Sequence, residues 1–292
     1  MRLLTHIVSP EQEGWPLRRL LRQELRISGS FLSRLKWRPG AILVNGRPAT
    51  VAAVLHAGDA VTADVSDLPG DNPHIRPVDY PLDSLWEDQD LLVLNKPAGI
   101  AIHPAALTEE TVTVAGAVCH YLGQGSFHCV NRLDRGTTGL LAAAKHPHAQ
   151  EVLKNQLHTA DFRRTYLAVC EGVPQPAEGV IDVPMGPKPG SLMEQQVRPD
   201  GKPARTRYRV LSVRGGRALV QLELDTGRTH QIRVHMAHIG HPLTGDFLYG
   251  TEDRALIPRP ALHSARLTLR QPVTGQVLPF TVPLPEDMQR LL

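Results

Sequence analysis

The stretch ARTRYRVLSVRGGRALVQLELDTG, residues 204–227, decides the fold class of this chain. Its two halves, 204–213 and 217–227, alternate apolar and polar side chains or are rich in β-branched residues, which is typical of strands. Residues 261–269 and 277–285 have the same character, whereas 149–160 has helical spacing. Because strands dominate and do not alternate regularly with helices, the pattern predicts an α+β fold: a mixed, mainly antiparallel sheet with flanking helices.

The first 66 residues differ from the rest in pattern and charge. Leucines at helical spacing predict a helix after Pro16, and a second short helix is predicted over 30–37 with Ser30 as its N-cap. The pair Asn45-Gly46 predicts a turn between strands. Positive residues crowd this part of the chain: Arg18, Arg19, Arg22, Arg26, Arg34, Lys36, Arg38 and Arg47. Such a segment favours a partner with a phosphate backbone, although a solvated helix face would have the same composition.

A break in composition divides the chain. Residues 67–82 are rich in proline and aspartate and lack periodicity, which is typical of a linker. The sequence therefore predicts a small basic α/β domain over 1–66, a linker over 67–82 and a larger domain over 83–292. Within the larger domain, 91–95 predicts a strand that ends in a Lys-Pro-Ala-Gly turn, followed by a second short strand up to His103-Pro104. The apolar run after Gly139 predicts a helix.

Composition and missing motifs exclude several classes of protein. No apolar run approaches membrane-spanning length and no signal peptide is recognisable, so we expect a cytoplasmic protein that does not contact membranes. The three cysteines form no C-x-x-C pair and are expected to be buried thiols. The phosphate-loop, Rossmann and nucleophile-elbow patterns are absent, and no nucleotide cofactor is expected.

Polar residues concentrate in three places that simple packing does not require. In NRLDRGTTG, residues 131–139, Asp134 lies between two arginines, which fits either a surface ion pair or a carboxylate kept ionised for chemistry. In RRTYLAV, residues 163–169, Tyr166 follows Arg163 and Arg164 on a predicted strand. The densest segment, 224–250, carries Arg228, His230, Gln231, Arg233, His235, His238, His241, Asp246 and Tyr249.

The histidines of the third segment raise the question of a metal site. His235, His238 and His241 recur at three-residue spacing, which could place two of them on one helical face. However, Gly240 and Pro242 interrupt a helix there, no cysteine is close in sequence, and no recognised metal motif is present. The pattern therefore favours histidines that cap, pair or contact a polymer, and no bound metal is expected.

Four motifs carry a resemblance to a known family. They are NKPAGIAIHP (95–104), NRLDRGTTGLLAAAK (131–145), RRTYLAVCEG (163–172) and TGRTHQIRVHMAHIGHPLTGDFLYG (226–250). In this order they resemble the signatures of the RluA-type pseudouridine synthases, from about residue 83 to the C-terminus. That family usually has H-R-L-D-x-x-T-S-G, where this chain has Asn131 and Thr138 in place of the histidine and the serine. Residues 31–61 resemble the small RNA-binding domain named after a ribosomal small-subunit protein.

The resemblance implies an RNA-modifying enzyme that breaks the N-glycosidic bond of a uridine and rejoins the uracil through carbon 5. It implies that Asp134 is the catalytic carboxylate, that Arg233 is its closest partner, and that Tyr166 stacks on the target base. The nucleotide would be flipped out of folded RNA. The residues expected to contact RNA are Arg132, His103, Arg164, Arg228, His230, Gln231, Arg34, Lys36 and Arg38. The reaction has no redox change and no group donor, so it implies no cofactor.

Three questions stay open at this level. A catalytically silent RNA-binding protein on the same fold, or a metal-dependent RNA hydrolase, are alternatives from other functional classes. The RNA is either large-subunit ribosomal RNA, which an added N-terminal RNA-binding domain favours, or transfer RNA. Nothing in the sequence requires more than a monomer.

Overall fold

A computed structural model describes residues 1–67, 75–104, 112–123, 126–157 and 159–292. The N-terminal part contains β1 (Leu3–Ile7), a 3-10 turn (Pro10–Gln12), α1 (Leu17–Gln23), α2 (Gly29–Leu35), β2 (Ile42–Val44), β3 (Arg47–Pro48) and β4 (Ala60–Asp64). The rest contains β5 (Ser84–Glu87), β6 (Leu91–Lys96), α3 (Val114–Leu122), β7 (His128–Cys129), β8 (Thr138–Ala144), α4 (Pro147–Gln156), β9 (Arg163–Glu171), β10 (Glu178–Asp182), β11 (Met185–Pro187), β12 (Gln195–Val197), β13 (Arg205–Arg214), β14 (Arg217–Leu224), α5 (Gln231–His238), β15 (Leu262–Arg270), β16 (Val277–Thr281) and α6 (Glu286–Gln289).

The N-terminal elements form a four-stranded sheet in the order β1-β4-β2-β3. Asn45 and Gly46 both have positive φ (51° and 76°), as the predicted turn between β2 and β3 requires. The predicted cap of α2 is wrong: the Ser28 hydroxyl, not that of Ser30, accepts a hydrogen bond from the Phe31 amide. Helices α1 and α2 cover this sheet with a hydrophobic cluster of their own.

Ten of the remaining described strands build one sheet in the order β10-β13-β14-β9-β15-β8-β6-β5, with β16 added to β15 and β7 to β8, and β11 pairs with β12 in a separate two-stranded sheet. Within the described ranges its ladders are antiparallel, apart from the parallel contact between β8 and β15. The α+β prediction is confirmed. The second short strand predicted before Pro104 is reduced to a single bridge between Ala101 and Thr113. Residues 68–74 of the predicted linker lie outside the described ranges.

The apolar run after Gly139 is a strand, and the predicted helix is wrong. All seven residues of β8 are buried because the strand lies between β15 and β6 and is covered on both faces. A strand buried on both faces shows no polar alternation, and its leucines and alanines have high helix propensity. Gly139 itself has φ of 102°, and a Cβ there would collide with the Ser264 backbone, so only glycine fits this contact of β8 with β15.

A buried carboxylate joins the N-terminal part of the chain to the ten-stranded sheet. Asp90, just before β6, accepts hydrogen bonds from Arg2 Nε (2.6 Å), His146 Nε2 (2.9 Å) and Gln271 Nε2 (2.8 Å). Burial alone would raise the pKa of Asp90, but these hydrogen bonds outweigh it and hold the pKa well below its usual value. His146 is also the N-cap of α4, where its Nδ1 accepts from the Ala149 amide. The Asp90 carboxylate therefore holds the start of β1 against the ten-stranded sheet, and it also holds the start of α4 in place.

Two further observations concern the chain as a whole. Among the described residues, no helix is both long enough and apolar enough to cross a membrane. Cys119, Cys129 and Cys170 are free and buried, as predicted, and burial raises the pKa of each thiol, to about 11, 12 and 11. These thiols are therefore unreactive packing residues at neutral pH.

Candidate active site

A cleft of about 690 Å³ opens between the loop that follows β7, the strand β9 and the start of α5, with α4 at its side. Among the described residues that line it, Asp134 is the only carboxylate. The cationic lining residues are Arg132, Arg135, Lys154, Arg164, Arg228 and Arg233. A concave site with this balance concentrates positive potential and attracts polyanions.

The loop that carries Asp134 is held in a tight turn. The Thr137 amide donates to the Asp134 carbonyl (3.0 Å), and the Arg135 carbonyl accepts from the Gly99 amide (2.9 Å). Arg135 Nε returns a hydrogen bond to the Gly99 carbonyl (2.9 Å). The Lys-Pro-Ala-Gly turn after β6 and the aspartate loop therefore support each other, although they are far apart in the sequence.

Lys96 lies beneath this loop. Its ammonium donates to the carbonyls of Pro97 (2.8 Å), Arg135 (3.1 Å) and Thr137 (2.9 Å), and the side chain is only 2% exposed. Burial lowers the pKa of Lys96 to about 7, against the opposing charge of Asp134. Sequence reasoning did not select Lys96. The available signal was a lysine at the end of a fully apolar strand, directly before the proline of the first motif.

Replacing Lys96 with methionine should lower the free energy of unfolding by about 3 kcal/mol at pH 7, because buried carbonyls lose their donor. Urea denaturation measures this value. Lys145→Met is the matched control: Lys145 donates to Glu87 at the surface, and its loss should cost about 1 kcal/mol or less.

Wild type and Lys96→Met also test the lowered pKa of Lys96. Between about pH 7 and the ordinary lysine pKa near 10.4, unfolded wild type holds a proton that the folded protein has released. Wild-type stability should therefore rise with pH across this window relative to Lys96→Met. A difference between the two proteins that stays constant or shrinks from pH 7 to pH 10 would contradict the assignment.

Arg233, on α5, connects two carboxylates. Its Nε and Nη2 donate to Asp246 Oδ2 and Oδ1, both at 2.7 Å, and its Nη1 lies 3.7 Å from Asp134 Oδ2. Burial would lower the pKa of Arg233, but the hydrogen bonds and charge of Asp246, with help from Asp134, raise it. Arg233 is thus a fixed cation, oriented by Asp246, beside a carboxylate whose side chain is 29% exposed to the cleft.

His230 enters the site from a strained backbone position. It has φ of 58°, a left-handed backbone conformation that residues other than glycine adopt at a cost of about 1–2 kcal/mol. Its Nδ1 lies 2.8 Å from the Tyr249 hydroxyl, and its Nε2 lies 4.0 Å from Asp134 Oδ2. Burial, together with the charge of Arg233, lowers the pKa of His230.

Tyr166 lies on β9 and lines the cleft, but only 4% of its surface is exposed. Burial raises the pKa of its hydroxyl, and the charge of Asp134 acts in the same direction. A base that stacks on this ring must displace the side chains that cover it. Arg164, on the same strand, also lines the cleft and is partly exposed.

The other predicted RNA-contacting residues divide into two groups. His103, Arg132 and Arg228 line the cleft with exposed side chains, and Gln231 lines it with an amide already bonded to Thr206, Thr226 and backbone groups. The second group, on and after α2, does not line the cleft: Arg34, Lys36 and Arg38.

The two positions that depart from the family pattern, of which Asn131 also lines the cleft, are bonded to the surrounding strands. Asn131 Oδ1 accepts from the Ala142 amide (2.8 Å), and the Thr138 hydroxyl lies 2.8 Å from His263 Nδ1. Both side chains are buried. These residues therefore hold the strand β8 and its neighbours, and the cleft keeps its charged lining.

The three regularly spaced histidines do not converge. His235 Nδ1 pairs with the Thr206 hydroxyl (2.9 Å), and His241 Nδ1 lies 3.0 Å from the Glu171 carbonyl. Over the described ranges, no group of three His, Cys, Asp or Glu residues is arranged to hold a metal ion. Sequence reasoning also left out Gln150 and Lys154, which reach the cleft from α4 and which a helix outside the motifs gave no reason to select.

Comparison with known proteins identifies this combination of fold and motifs. Residues 90–238 match the family described as RNA pseudouridylate synthase. Over 273 residues, the chain is 38% identical to the "Uncharacterized RNA pseudouridine synthase YjbO" of Bacillus subtilis (strain 168), covering 92% of this chain and 95% of the relative. It is also 38% identical over 263 residues to the "Ribosomal large subunit pseudouridine synthase D" of Nitrosomonas europaea, covering 86% and 76%.

A solved structure shares the fold. The structure titled "Human RNA Pseudouridylate Synthase Domain Containing 1" superposes with a TM-score of 0.58 at 24% identity, over 70% of this chain and 83% of that one. The matched family region contains the aspartate loop, β9 and all of α5. From the fold, the motifs and these relatives, the chain belongs to the RNA pseudouridylate synthase family and is an RluA-type RNA pseudouridine synthase.

Proposed function

We propose that this enzyme isomerises a uridine of large-subunit ribosomal RNA with Asp134 as its catalytic carboxylate. The observation that carries the proposal is a partly exposed carboxylate beside a fixed arginine, in a cleft whose other charged lining residues, among those that the structure describes, are cations. The ribosomal substrate is supported by relatives named ribosomal large subunit pseudouridine synthase D, at 38% and 36% identity. Transfer RNA is the alternative substrate.

The geometry suits Asp134 to this chemistry. The Arg233 cation lies 3.7 Å from Asp134, and partial exposure leaves a carboxylate oxygen free to meet the sugar of a bound nucleotide. The bond from C1′ to N1 breaks and a bond from C1′ to C5 forms, while C5 loses a proton and N1 gains one. The carboxylate acts as nucleophile or as stabiliser of the sugar cation. We propose that no cofactor takes part, because the bonds and electrons balance within the nucleotide.

The remaining lining residues are assigned to binding. Tyr166 stacks on the uracil, and Arg132 or His103 fills the space that the flipped nucleotide leaves or holds its phosphates. Flipping costs about a few kcal/mol, which stacking and the phosphate contacts offset. Arg164, Arg228 and the backbone around His230 and Gln231 complete the surface that faces RNA.

We propose domain boundaries at 1–66 and 83–292, joined by a linker over 67–82, with the smaller domain binding RNA. The N-terminal sheet and the ten-stranded sheet pack against separate hydrophobic clusters, which supports this division. Arg34 and Lys36 are exposed and available to phosphates. Arg38 is less suited to that role because its guanidinium donates to Asp64 (2.6 Å) and to the Ser66 carbonyl (3.1 Å).

Replacing Arg34 and Lys36 with alanine together should weaken RNA binding and reduce the slope of log Kd against log salt by about 1 to 2. Filter binding from 50 to 300 mM salt measures both quantities. If the two cations only complement the negative end of α2, the variant will unfold more easily but bind RNA with wild-type affinity and salt dependence. That result would remove the small domain from the RNA-binding surface.

The substrate is tested by mapping pseudouridine in ribosomal and transfer RNA from cells that lack this gene, with and without the wild-type gene restored. We expect one or more large-subunit ribosomal positions to lose the modification and to regain it on complementation. Loss confined to transfer RNA would replace the ribosomal assignment, and no change at any position would favour the silent RNA-binding alternative. We further propose a monomeric, cytoplasmic enzyme, which size-exclusion chromatography and fractionation can test.

A further inference from the structure

Trp37 stands out among the tryptophans of this chain. It directly follows α2 and is 78% exposed. Trp15 lies under the Arg19 guanidinium (3.7 Å to the ring centroid), and Trp86 contacts the Phe280 ring. The indole N–H of Trp37 has no hydrogen-bond partner in the described part of the chain. The chain has three tryptophans in 292 residues, so a tryptophan with a largely exposed ring is unusual in it.

The indole is presented from a rigid support. The opposite side of α2 buries Phe31, Leu32 and Leu35 in the hydrophobic cluster of the N-terminal sheet. The Trp37 amide donates to the Arg34 carbonyl (3.2 Å), which fixes the backbone at the end of the helix. A large ring with few rotatable bonds on an anchored backbone loses little conformational entropy when a ligand binds.

Its surroundings indicate what would cover it. The Lys36 ammonium lies 5.1 Å from the Trp37 ring centroid, and Arg34 is exposed one helical turn away. A single exposed apolar residue needs no explanation by itself, but an exposed aromatic ring beside cations is the arrangement that binds single-stranded nucleic acid. The core of a protein interface would instead have to desolvate both cations, and lysine is depleted there.

We propose that Trp37 stacks on an unpaired base of the RNA substrate while Arg34 and Lys36 hold the adjacent phosphates. The inference rests on the proposed RNA-binding role of the small domain and makes it more specific. The domain would recognise an unpaired nucleotide as well as the phosphate charge of an RNA helix.

The test uses the full-length protein and two labelled RNA probes, a stem-loop with an unpaired uridine-rich loop and a blunt duplex of the same length. Trp37→Ala should raise the Kd for the stem-loop by about 10-fold or more, the range expected for one lost base stack, and change the Kd for the duplex less. Trp37→Tyr should keep affinity near wild type. Ile7→Ala, at an exposed apolar residue of β1, is the control and should change neither Kd. The stem-loop should also quench tryptophan fluorescence in wild type and less in Trp37→Tyr.

The outcomes separate this inference from the proposed function. Unchanged stem-loop affinity in Trp37→Ala, with weakened binding in the Arg34 and Lys36 double variant, would overturn stacking and leave the basic domain in place. Equal losses on both probes that tyrosine does not restore would also overturn it. If neither the tryptophan nor the double variant affects binding while isomerisation persists, the small domain has no role in binding and the inference fails together with it.

Discussion

Asp134→Asn should bind RNA with near wild-type affinity and lose isomerisation by a factor of at least about 10³, the scale seen when a reacting group is removed. The substitution keeps the shape of the side chain and removes its negative charge. An amide is a far weaker nucleophile and does not stabilise a sugar cation, while phosphate contacts from the surrounding arginines are unaffected. The loop should remain in place because Lys96 and Gly99 hold it through its backbone.

The measurement follows from the reaction. Because C5 loses its proton, RNA made with 5-tritiated uridine releases tritium to water at each turnover, and single-turnover assays separate this step from binding. Asp200→Asn is the matched control: Asp200 pairs with Arg198 at the surface, away from the cleft, and its variant should react at the wild-type rate. Tritium release from Asp134→Asn within 10-fold of wild type would exclude Asp134 as the catalytic carboxylate.

Asp246→Ala should lower the free energy of unfolding by about 3–5 kcal/mol, the usual cost of leaving one partner of a buried ion pair alone. Among the described residues, Asp134, at 3.7 Å, would be the one anion left near the Arg233 guanidinium, and the amides of Leu248 and Tyr249 would lose their acceptor. In protein that still folds, Arg233 should turn toward Asp134 and occupy the oxygen that faces the cleft, so isomerisation should also fall.

Chemical denaturation and the tritium assay together check this prediction. Asp287→Ala offers a close comparison, since Asp287 also binds an arginine through two oxygens (2.7 and 2.8 Å). Its partner Arg259 keeps the carbonyls of Gly136, Pro260 and Leu262, so the loss of stability should be smaller. Equal losses in the two variants would mean that the Arg233–Asp246 pair is no more important to folding than an ordinary half-exposed one.

The sequence predicted those parts of the fold and site that leave a periodic or motif signature. The strands β13 and β14 alternate because one face of each is buried, and the aspartate loop lies within a recognisable motif. The helix predicted after Gly139 was wrong because β8 is buried on both faces, and such a strand shows no alternation of apolar and polar residues. Lys96 was missed because a charged residue that bonds only to backbone carbonyls has no partner side chain to pattern with. The pairing of Arg38 with Asp64 is also invisible to sequence patterns, because it joins residues 26 positions apart that no local rule connects.

The hydrogen bonds around Asp90 bear on how separable the two parts of this enzyme are. Here the arginine that neutralises a buried aspartate of the catalytic sheet is Arg2, near the start of the chain, and the same aspartate holds the helix that supplies Lys154 to the cleft. A shortened chain that begins at residue 83 would leave that carboxylate without its arginine, so the first residues of the chain contribute directly to the stability of the ten-stranded sheet.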